Sequence, residues 1–177
     1  MKLIILDRDG TINEDSDQYI KSPAEWKPIP GSLEAIARFT QADWRVVVAT
    51  NQSGLARGLF DMATLNAIHT EMHRAVTQAG GRIDAIFFCP HAATEGCGCR
   101  KPRSGLLLEI ASRLDIELAV VPLAGDSLRD MQAADSVGCK PYLVLTGKGK
   151  KTRDEGGLPA RTETVADLAA LAARLAP

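Results

Sequence analysis

The sequence predicts an α/β fold built on a doubly wound, Rossmann-like parallel sheet. Short apolar runs alternate along the chain with stretches whose apolar residues recur every three or four positions, as strands alternate with amphipathic helices. Such alternation requires right-handed crossovers between parallel strands. Acidic or hydroxyl side chains follow several of these runs, at the strand ends where such sheets bind ligands. We therefore expect five strands in the order 3-2-1-4-5.

The length and composition fit one globular domain, residues 1–177, without a linker or a repeat. The chain is 45% apolar and 24% charged, with a net charge of −1, and this balance does not favour nucleic acid as a partner. No apolar run approaches the roughly 20 residues of a membrane span, and the N-terminus lacks the pattern of a signal peptide. We expect a cytoplasmic monomer without a membrane partner.

The first strand, residues 2–6, ends in the motif Asp-Arg-Asp-Gly-Thr. Asp7 and Asp9 leave the sheet at its carboxyl edge, where Gly10 permits a turn. Two neighbouring carboxylates repel each other and favour a hard cation such as Mg²⁺. A carboxylate beside that ion can attack phosphorus and form an aspartyl-phosphate. The alternative for this motif alone is a turn rich in Asp and Gly that binds nothing.

A long connection, a helix and a second strand come next. Residues 11–31 show no clear periodicity, and a connection of that length is usually functional. Ser32 is expected to cap a helix. Residues 45–49 form the expected second strand, which ends at Thr50, because 46–49 are β-branched or apolar.

The following helix is expected to begin after a cap at Asp61. His69 and His73 lie four positions apart on it, a spacing that could hold a metal ion. No third ligand is near in the sequence, so we expect both histidines to be solvated.

The second half of the chain continues the alternation of strands and helices. The exit of the fifth strand, residues 146–159, is rich in Gly and Lys and is expected to be mobile. We expect strands at 85–88, 119–124 and 142–145, helices at 105–114 and 128–137, and a last helix running from a Thr164 cap to residue 175.

The order 3-2-1-4-5 places the first and fourth strands side by side, which would bring Asp7, Asp9 and Asp126 together. Asp7 and Asp126 can bind Mg²⁺ through their carboxylates, and Asp9 through its backbone carbonyl. The side chain of Asp9 then stays free to act as general acid and base. Thr50 and Lys101 can neutralise the charge of a phosphoryl group in transfer.

A second group of possible ligands follows the third strand in the pattern C-x-H-x₅-C-x-C. Thiolates and imidazole favour Zn²⁺, and a closed set of four is typical of a structural site. The alternative is a loop with unpaired cysteines and one stray histidine. The expected zinc ligands are Cys89, His91, Cys97 and Cys99, whereas Cys139 is expected to be a small buried side chain.

The motifs together resemble those of the haloacid dehalogenase (HAD) superfamily of phosphatases. The matching residues are Asp7-x-Asp9-Gly10-Thr11, Thr50, Lys101 and Gly125-Asp126-x-x-x-Asp130, and the resemblance extends over nearly the whole chain. It implies an HAD-like fold and hydrolysis of a phosphoric monoester. The roles that it implies are nucleophile for Asp7, general acid and base for Asp9, phosphoryl stabilisation for Thr50 and Lys101, and substrate recognition for Arg100.

The same resemblance implies a small phosphorylated sugar as substrate, held in an open site because no cap domain is present. Residues 51–58 and 130–134 support it. The substrate contacts that it implies are Asp15, Ser16, Asp17, Gln18, Thr50, Asn51, Gln52, Ser53, Arg100, Lys101 and Ser127.

Two departures blur the substrate preference. Many relatives have Lys where this chain has Ser127, and many have a longer zinc loop. Asp130 either contacts metal-bound water or is an acid stabilised by the helix N-terminus. The alternatives for the whole chain are a histidinol-phosphate phosphatase and, in a different class, a non-catalytic zinc-loop binding module. A nucleic-acid end phosphatase is a weaker third alternative, because Arg and Lys are spread along the chain without a basic strip that also carries aromatic residues.

Overall fold

The computed structural model describes residues 1–177 as a parallel sheet with helices on both faces. Its strands lie in the order β3-β2-β1-β4-β5-β6. The expected order of five strands is confirmed, and a sixth strand extends the sheet beyond β5. The strands are β1 Lys2–Leu6, β2 Trp44–Asn51, β3 Ala85–Cys89, β4 Pro122–Gly125, β5 Lys140–Val144 and β6 Glu163–Val165.

Six α-helices connect the strands or follow them. None of these helices combines the length and the apolar character that crossing a membrane requires. The helices are α1 Ser32–Gln41, α2 Met62–Gln78, α3 Gly105–Leu114, α4 Leu128–Ser136, α5 Gly149–Glu155 and α6 Leu168–Leu175.

Strand β1 is the centre of the sheet and is buried on both faces. Successive side chains of a strand point to opposite faces. Ile4 and Leu6 therefore pack with α1, α2 and α6 in one apolar cluster, while Leu3 and Ile5 pack with α3 and α4 in the other. This double burial explains the uninterrupted apolar run at the start of the sequence.

The register of β1 fixes where the functional side chains emerge. Leu6 pairs with Val48 of β2 on one side and with Ala124 of β4 on the other. The residues that follow these three positions therefore leave the same edge of the sheet. The switch point predicted from the sequence is confirmed.

The end of the chain differs from expectation. The segment expected to be mobile contains α5, and Thr164 lies in β6 instead of capping a helix. The cap of α6 is Asp167, whose Oδ1 accepts from the backbone N–H of Ala170 at 2.7 Å. β6 has only three residues and its middle side chain is exposed, so no apolar run marks it in the sequence.

Of the other two predicted helix caps, Asp61 is confirmed and Ser32 is wrong. The Asp61 cap is confirmed, because its Oδ1 accepts from the Thr64 backbone N–H at 2.8 Å. Ser32 is the first helical residue of α1 and follows the cap Gly31, while its hydroxyl donates to the Ile12 carbonyl at 2.7 Å. That bond ties the 11–31 connection to α1.

Candidate active site

The carboxyl edge of the sheet forms a cleft of about 380 Å³ above β1, β2 and β4. Gln18 and Lys101 are the two predicted substrate contacts that do not line it, because Gln18 lies outside it and Lys101 is buried beneath it. The predicted residues that line the cleft are Asp7, Asp9, Asp15, Ser16, Asp17, Thr50, Asn51, Gln52, Ser53, Arg100, Asp126 and Ser127.

Three carboxylates converge at the floor of the cleft. Asp7, Asp126 and Asp130 each place an oxygen within 4.8 Å of the others. Burial, and then the charge of Asp130, raise the pKa of Asp7 to about 7. Burial, and then the charge of Asp7, raise the pKa of Asp126 to about 8. Crowded carboxyls of this kind are the donor set that a hard divalent cation stabilises, so these residues fit Mg²⁺.

Lys101 is the cation closest to these acids. Its Nζ donates to Asp7 Oδ1 at 2.9 Å, to Asp130 Oδ1 at 2.6 Å and to the Ala49 carbonyl at 2.7 Å. Burial opposes its charged form, but Asp130 and Asp7 outweigh burial and raise the pKa of Lys101. The ammonium is thus charged and fixed beside the predicted nucleophile.

Asp130 lies in the first turn of helix α4, where it forms a capping box with the cap residue Ser127, and it belongs to the same network. The backbone N–H and the hydroxyl of Ser127 both donate to its Oδ2, at 3.1 and 2.6 Å. Asp130 thus lies at the helix N-terminus, and it also forms a direct ion pair with Lys101. Ser127 supports Asp130 as well as lining the cleft.

The carboxylate of Asp9 accepts hydrogen bonds on both of its oxygens. Its Oδ1 accepts from Arg8 Nε at 3.0 Å, from Arg8 Nη2 at 2.9 Å and from Asn13 Nδ2 at 2.9 Å. Its Oδ2 accepts from Gln52 Nε2 at 3.0 Å and from Arg8 Nη2 at 3.2 Å. Burial alone would raise the pKa of Asp9, but the charge of Arg8 and these hydrogen bonds lower it.

His69 differs from expectation, since it is buried instead of solvated, whereas His73 is exposed. His69 Nε2 lies 3.1 Å from Arg8 Nη1. Burial, and then the positive charge of Arg8, lower the pKa of His69 to about 4. The imidazole is therefore neutral at physiological pH.

Residues 146–152, part of the segment 146–159 that was expected to be mobile, support the floor of the cleft. The Lys148 backbone N–H donates to Asp126 Oδ2 at 2.8 Å, and the Thr152 hydroxyl donates to the Asp126 carbonyl at 2.8 Å. Gly10 has φ of +80°, and a Cβ there would lie 2.0 Å from Asp126 Oδ2. Glycine is therefore required where the first motif meets Asp126.

Several cationic side chains on the rim were missed. Lys148 Nζ lies 3.1 Å from Asp15 Oδ2 and 3.2 Å from Asp17 Oδ1, so it ties the β5 exit to the 11–31 connection. Arg57 and Arg129 line the cleft with Arg100. Arg57 lies within residues 51–58 and Arg129 directly precedes Asp130, so their positions near motif residues could have indicated a role in the site. No motif residue lies near Lys148 in the sequence.

The predicted zinc ligands lie together beside the cleft. The Sγ atoms of Cys89, Cys97 and Cys99 are 3.1 to 3.6 Å apart, and His91 Nδ1 lies 3.6 Å from Cys89 Sγ and 3.2 Å from Cys99 Sγ. Tetrahedral coordination with Zn–S bonds of about 2.3 Å separates sulfurs by about 3.7 Å. The donor set and spacing therefore fit Zn²⁺. Cys139 is buried away from this cluster, as expected.

Two family models match the chain. The HAD-hydrolase-like model matches residues 98–171, and the polynucleotide kinase 3 phosphatase model matches residues 2–127. Together they cover both the first motif and the fourth.

Curated relatives match over nearly the full length. The protein of Bordetella bronchiseptica is 65% identical over 99% of this chain and 98% of its own, and that of Pseudomonas putida is 52% identical over 99% of each. Both carry the name D-glycero-beta-D-manno-heptose-1,7-bisphosphate 7-phosphatase.

Solved structures show the same fold. The D,D-heptose 1,7-bisphosphate phosphatase of B. bronchiseptica, in complex with magnesium and phosphate, has a TM-score of 0.97 at 64% identity and covers 99% of this chain and 98% of its own. The corresponding phosphatase of Burkholderia thailandensis has a TM-score of 0.79 at 53% identity, with coverage of 98% and 97%.

Proposed function

We propose that this protein removes the C7 phosphate of D-glycero-beta-D-manno-heptose 1,7-bisphosphate and leaves the 1-phosphate. The chain belongs to the HAD-like family of D-glycero-beta-D-manno-heptose-1,7-bisphosphate 7-phosphatases and is a phosphoric monoester hydrolase. The observation that carries the proposal is the contact of Lys101 with Asp7 at the carboxyl end of β1. It places a fixed cation beside a carboxylate at the edge of the cleft.

The proposed reaction has two steps. In the first, an Asp7 oxygen attacks phosphorus, the bond from phosphorus to the C7 oxygen breaks, and Asp9 gives that oxygen a proton. In the second, Asp9 takes a proton from water, the water oxygen attacks phosphorus, and Asp7 is released with inorganic phosphate. Asp9 favours its carboxylate form in the free site, so the dianionic phosphate must raise its pKa before the first step.

Thr50 and Lys101 are proposed to stabilise the charge that develops on the phosphoryl oxygens. Lys101 is already fixed beside Asp7, and Thr50 Oγ1 accepts from Gln52 Nε2 at 2.9 Å, which leaves its hydroxyl proton for a ligand.

Two metal ions complete the proposal. Asp7, Asp126 and the backbone carbonyl of Asp9 would hold Mg²⁺, which supplies a Lewis acid to the phosphoryl oxygens when bound. The crowded carboxyls support this ion, as does the magnesium complex of the B. bronchiseptica enzyme. The zinc ion would be structural, held by the four ligands of the loop that carries Arg100 and Lys101.

Arg100 is proposed to recognise the part of the substrate beyond the transferred phosphate. Its side chain lines the cleft and is only partly exposed, and its planar fork matches phosphate or diol oxygens. A second phosphate gives such a cation a partner, and binding there can orient the first phosphate for attack. Asp15, Ser16, Asp17, Asn51 and Ser53 are proposed to contact the sugar.

The product, heptose 1-phosphate, is proposed to enter the ADP- or GDP-heptose precursor pathway for the lipopolysaccharide core or a related glycan. We propose that the enzyme is a single-domain monomer in the cytoplasm. All four cysteines are free, which suits a reducing compartment.

A comparison of substrates tests the proposal. We expect kcat/KM to be highest for the β-heptose bisphosphate, lower for the α anomer, and lower still for histidinol phosphate and for an oligonucleotide with a 3′-phosphate. The oligonucleotide is included because one matching family model describes a polynucleotide phosphatase. Preference for histidinol phosphate or the oligonucleotide would overturn the substrate assignment, and absence of any phosphatase activity would favour the zinc-loop binding module.

A further inference from the structure

Arg8 is a buried charge that the proposed reaction does not use. Its side chain is 0% exposed, although arginine is rarely buried without partners. One side of its guanidinium contacts Asp9 through Nε and Nη2, and the remaining nitrogen, Nη1, contacts His69 Nε2 at 3.1 Å. The three side chains form a chain from helix α2 to the first motif.

The direction of the contact between Arg8 and His69 follows from chemistry. A guanidinium has five N–H donors and no acceptor. Arg8 therefore donates, and Nε2 of His69 accepts with its lone pair. The ring must be neutral, with its proton on Nδ1. His69 thus fixes the rotation of the guanidinium about its long axis.

The contacts of Asp9 are unequal between its two oxygens. Oδ1 accepts three hydrogen bonds, two from Arg8 and one from Asn13. Oδ2 accepts one from Gln52 at 3.0 Å and a longer one from Arg8 at 3.2 Å. Oδ2 accepts fewer hydrogen bonds than Oδ1, and its bond from Arg8 is longer, so Oδ2 has more capacity to take up a proton.

We propose that His69 and Arg8 are positioning residues, which orient the carboxylate of Asp9 so that Oδ2 exchanges a proton with the leaving oxygen and then with water. This inference rests on the acid and base role of Asp9 in the proposed function. Neither His69 nor Arg8 touches the reacting atoms. His69 acts on Asp9 only through Arg8, because its nitrogen contacts that side chain.

The choice of leaving group distinguishes a positioning role of His69 from a merely structural one. A positioning role affects kcat/KM mainly for a leaving group that needs a proton, whereas a structural role affects kcat/KM for both kinds of substrate. An alkoxide leaving group, such as the C7 oxygen of the heptose, requires a proton in the first step, whereas a nitrophenolate does not. Loss of a general acid costs about 10²–10⁴ in rate where the proton is required. Because kcat/KM reports only the steps through formation of the phosphorylated enzyme, it isolates this requirement.

The test measures kcat/KM for the heptose bisphosphate and for p-nitrophenyl phosphate at saturating Mg²⁺. The variants that remove the acceptor are His69→Phe and His69→Leu, so that one can replace the other if it does not fold. His69→Gln restores an acceptor oxygen, and His73→Phe is the matched control on the exposed face of the same helix. Asp9→Asn alone measures the loss of kcat/KM when the general acid is removed. Combined with His69→Phe, it shows whether His69 acts through Asp9.

We expect His69→Phe and His69→Leu to lose about tenfold on the heptose bisphosphate, a fraction of the full effect of a general acid, and little on p-nitrophenyl phosphate. His69→Gln should recover most of the loss. In the Asp9→Asn background, His69→Phe should cause no further loss, because coupled residues are not additive.

Equal losses on both substrates, or a full loss from His69→Phe in the Asp9→Asn background, would overturn the inference while leaving the proposed function intact. If Asp9→Asn itself shows no selective loss on the heptose bisphosphate, the acid role fails and the inference fails with it.

Discussion

Lys101 Nζ lies 2.9 Å from Asp7 Oδ1, although the two residues are 94 positions apart in the sequence. Lys101 reaches Asp7 from the loop that begins at the third strand and contains the predicted zinc ligands. The backbone of Lys101 is held as well, because its N–H donates to Asn51 Oδ1 at 3.1 Å. This loop and the end of β2 together position the Lys101 ammonium group.

Replacing the buried cation should damage both rate and stability. We expect Lys101→Met to lower kcat by about 10²–10³, as for loss of one fixed group that stabilises a transition state. It should also lower the free energy of unfolding by about 3–5 kcal/mol, because two buried carboxylates lose their partner. Steady-state kinetics and urea unfolding measure the two effects. Lys151→Met, at an exposed helix position, is the control. An unchanged kcat in Lys101→Met would contradict the role of Lys101 in stabilising the phosphoryl group.

Magnesium binding should strengthen as pH rises through about 7 and 8. In the metal-free protein, Asp7 and Asp126 have pKa values raised to about 7 and about 8. Their contribution to stability is therefore present below the unfolded pKa of about 3.9 and is lost as pH rises through the folded values. Mg²⁺ displaces those protons, so the increase in Tm on adding Mg²⁺ should be larger at the alkaline end of this range. An increase that is the same at both ends, or one retained in full by Asp126→Asn, would contradict the proposed site.

If the proposed zinc site is correct, protein purified without chelators should contain about one equivalent of zinc. Cys97→Ser should lose most of that zinc and increase hydrogen exchange in residues 89–103, because structural zinc contributes folding free energy. Cys139→Ala is the matched control, since Cys139 is buried in the core away from the cluster. A zinc-free preparation with an ordered loop and full activity would contradict the proposed structural zinc ion.

Arg100 should determine selectivity more than chemistry. We expect Arg100→Ala to lower kcat/KM on the heptose bisphosphate by about tenfold to a hundredfold, as for one charged hydrogen-bonding group. The loss on a small phosphoester without a second phosphate should be much less. Arg113→Ala, which changes an exposed residue of α3, is the control. Equal losses on both substrates would assign Arg100 to the transferred phosphoryl group instead.

Much of the fold was predictable because burial leaves a periodic signal. The run before Asp7 marks a strand buried on both faces, and the alternation of elements gives the strand order that brings Asp126 to Asp7. The cluster of three cysteines and His91 was predictable because its members lie close together in sequence. β6 was not, since a three-residue edge strand has no apolar run.

The missed parts of the site depend on contacts that local sequence does not encode. Lys148 reaches Asp126 through a backbone N–H, which any residue possesses. The donors around Asp9 come from three separate positions, and only Arg8 is adjacent to it. His69 had a signal that was not used, because it lies four positions after Leu65 on the buried stripe of α2.

Trapping the intermediate is the most direct test of the proposed aspartyl-phosphate. Asp9→Asn should still react with p-nitrophenyl phosphate, which needs no acid, but should hydrolyse the intermediate slowly because the base is missing. Borohydride reduction of the acid-quenched protein converts an acyl phosphate to an alcohol, which peptide mass spectrometry can locate. We expect a burst of one nitrophenolate per chain and modification at Asp7. Nitrophenolate release without modification of Asp7, or modification of another carboxylate such as Asp126, would contradict the assignment of Asp7 as the nucleophile.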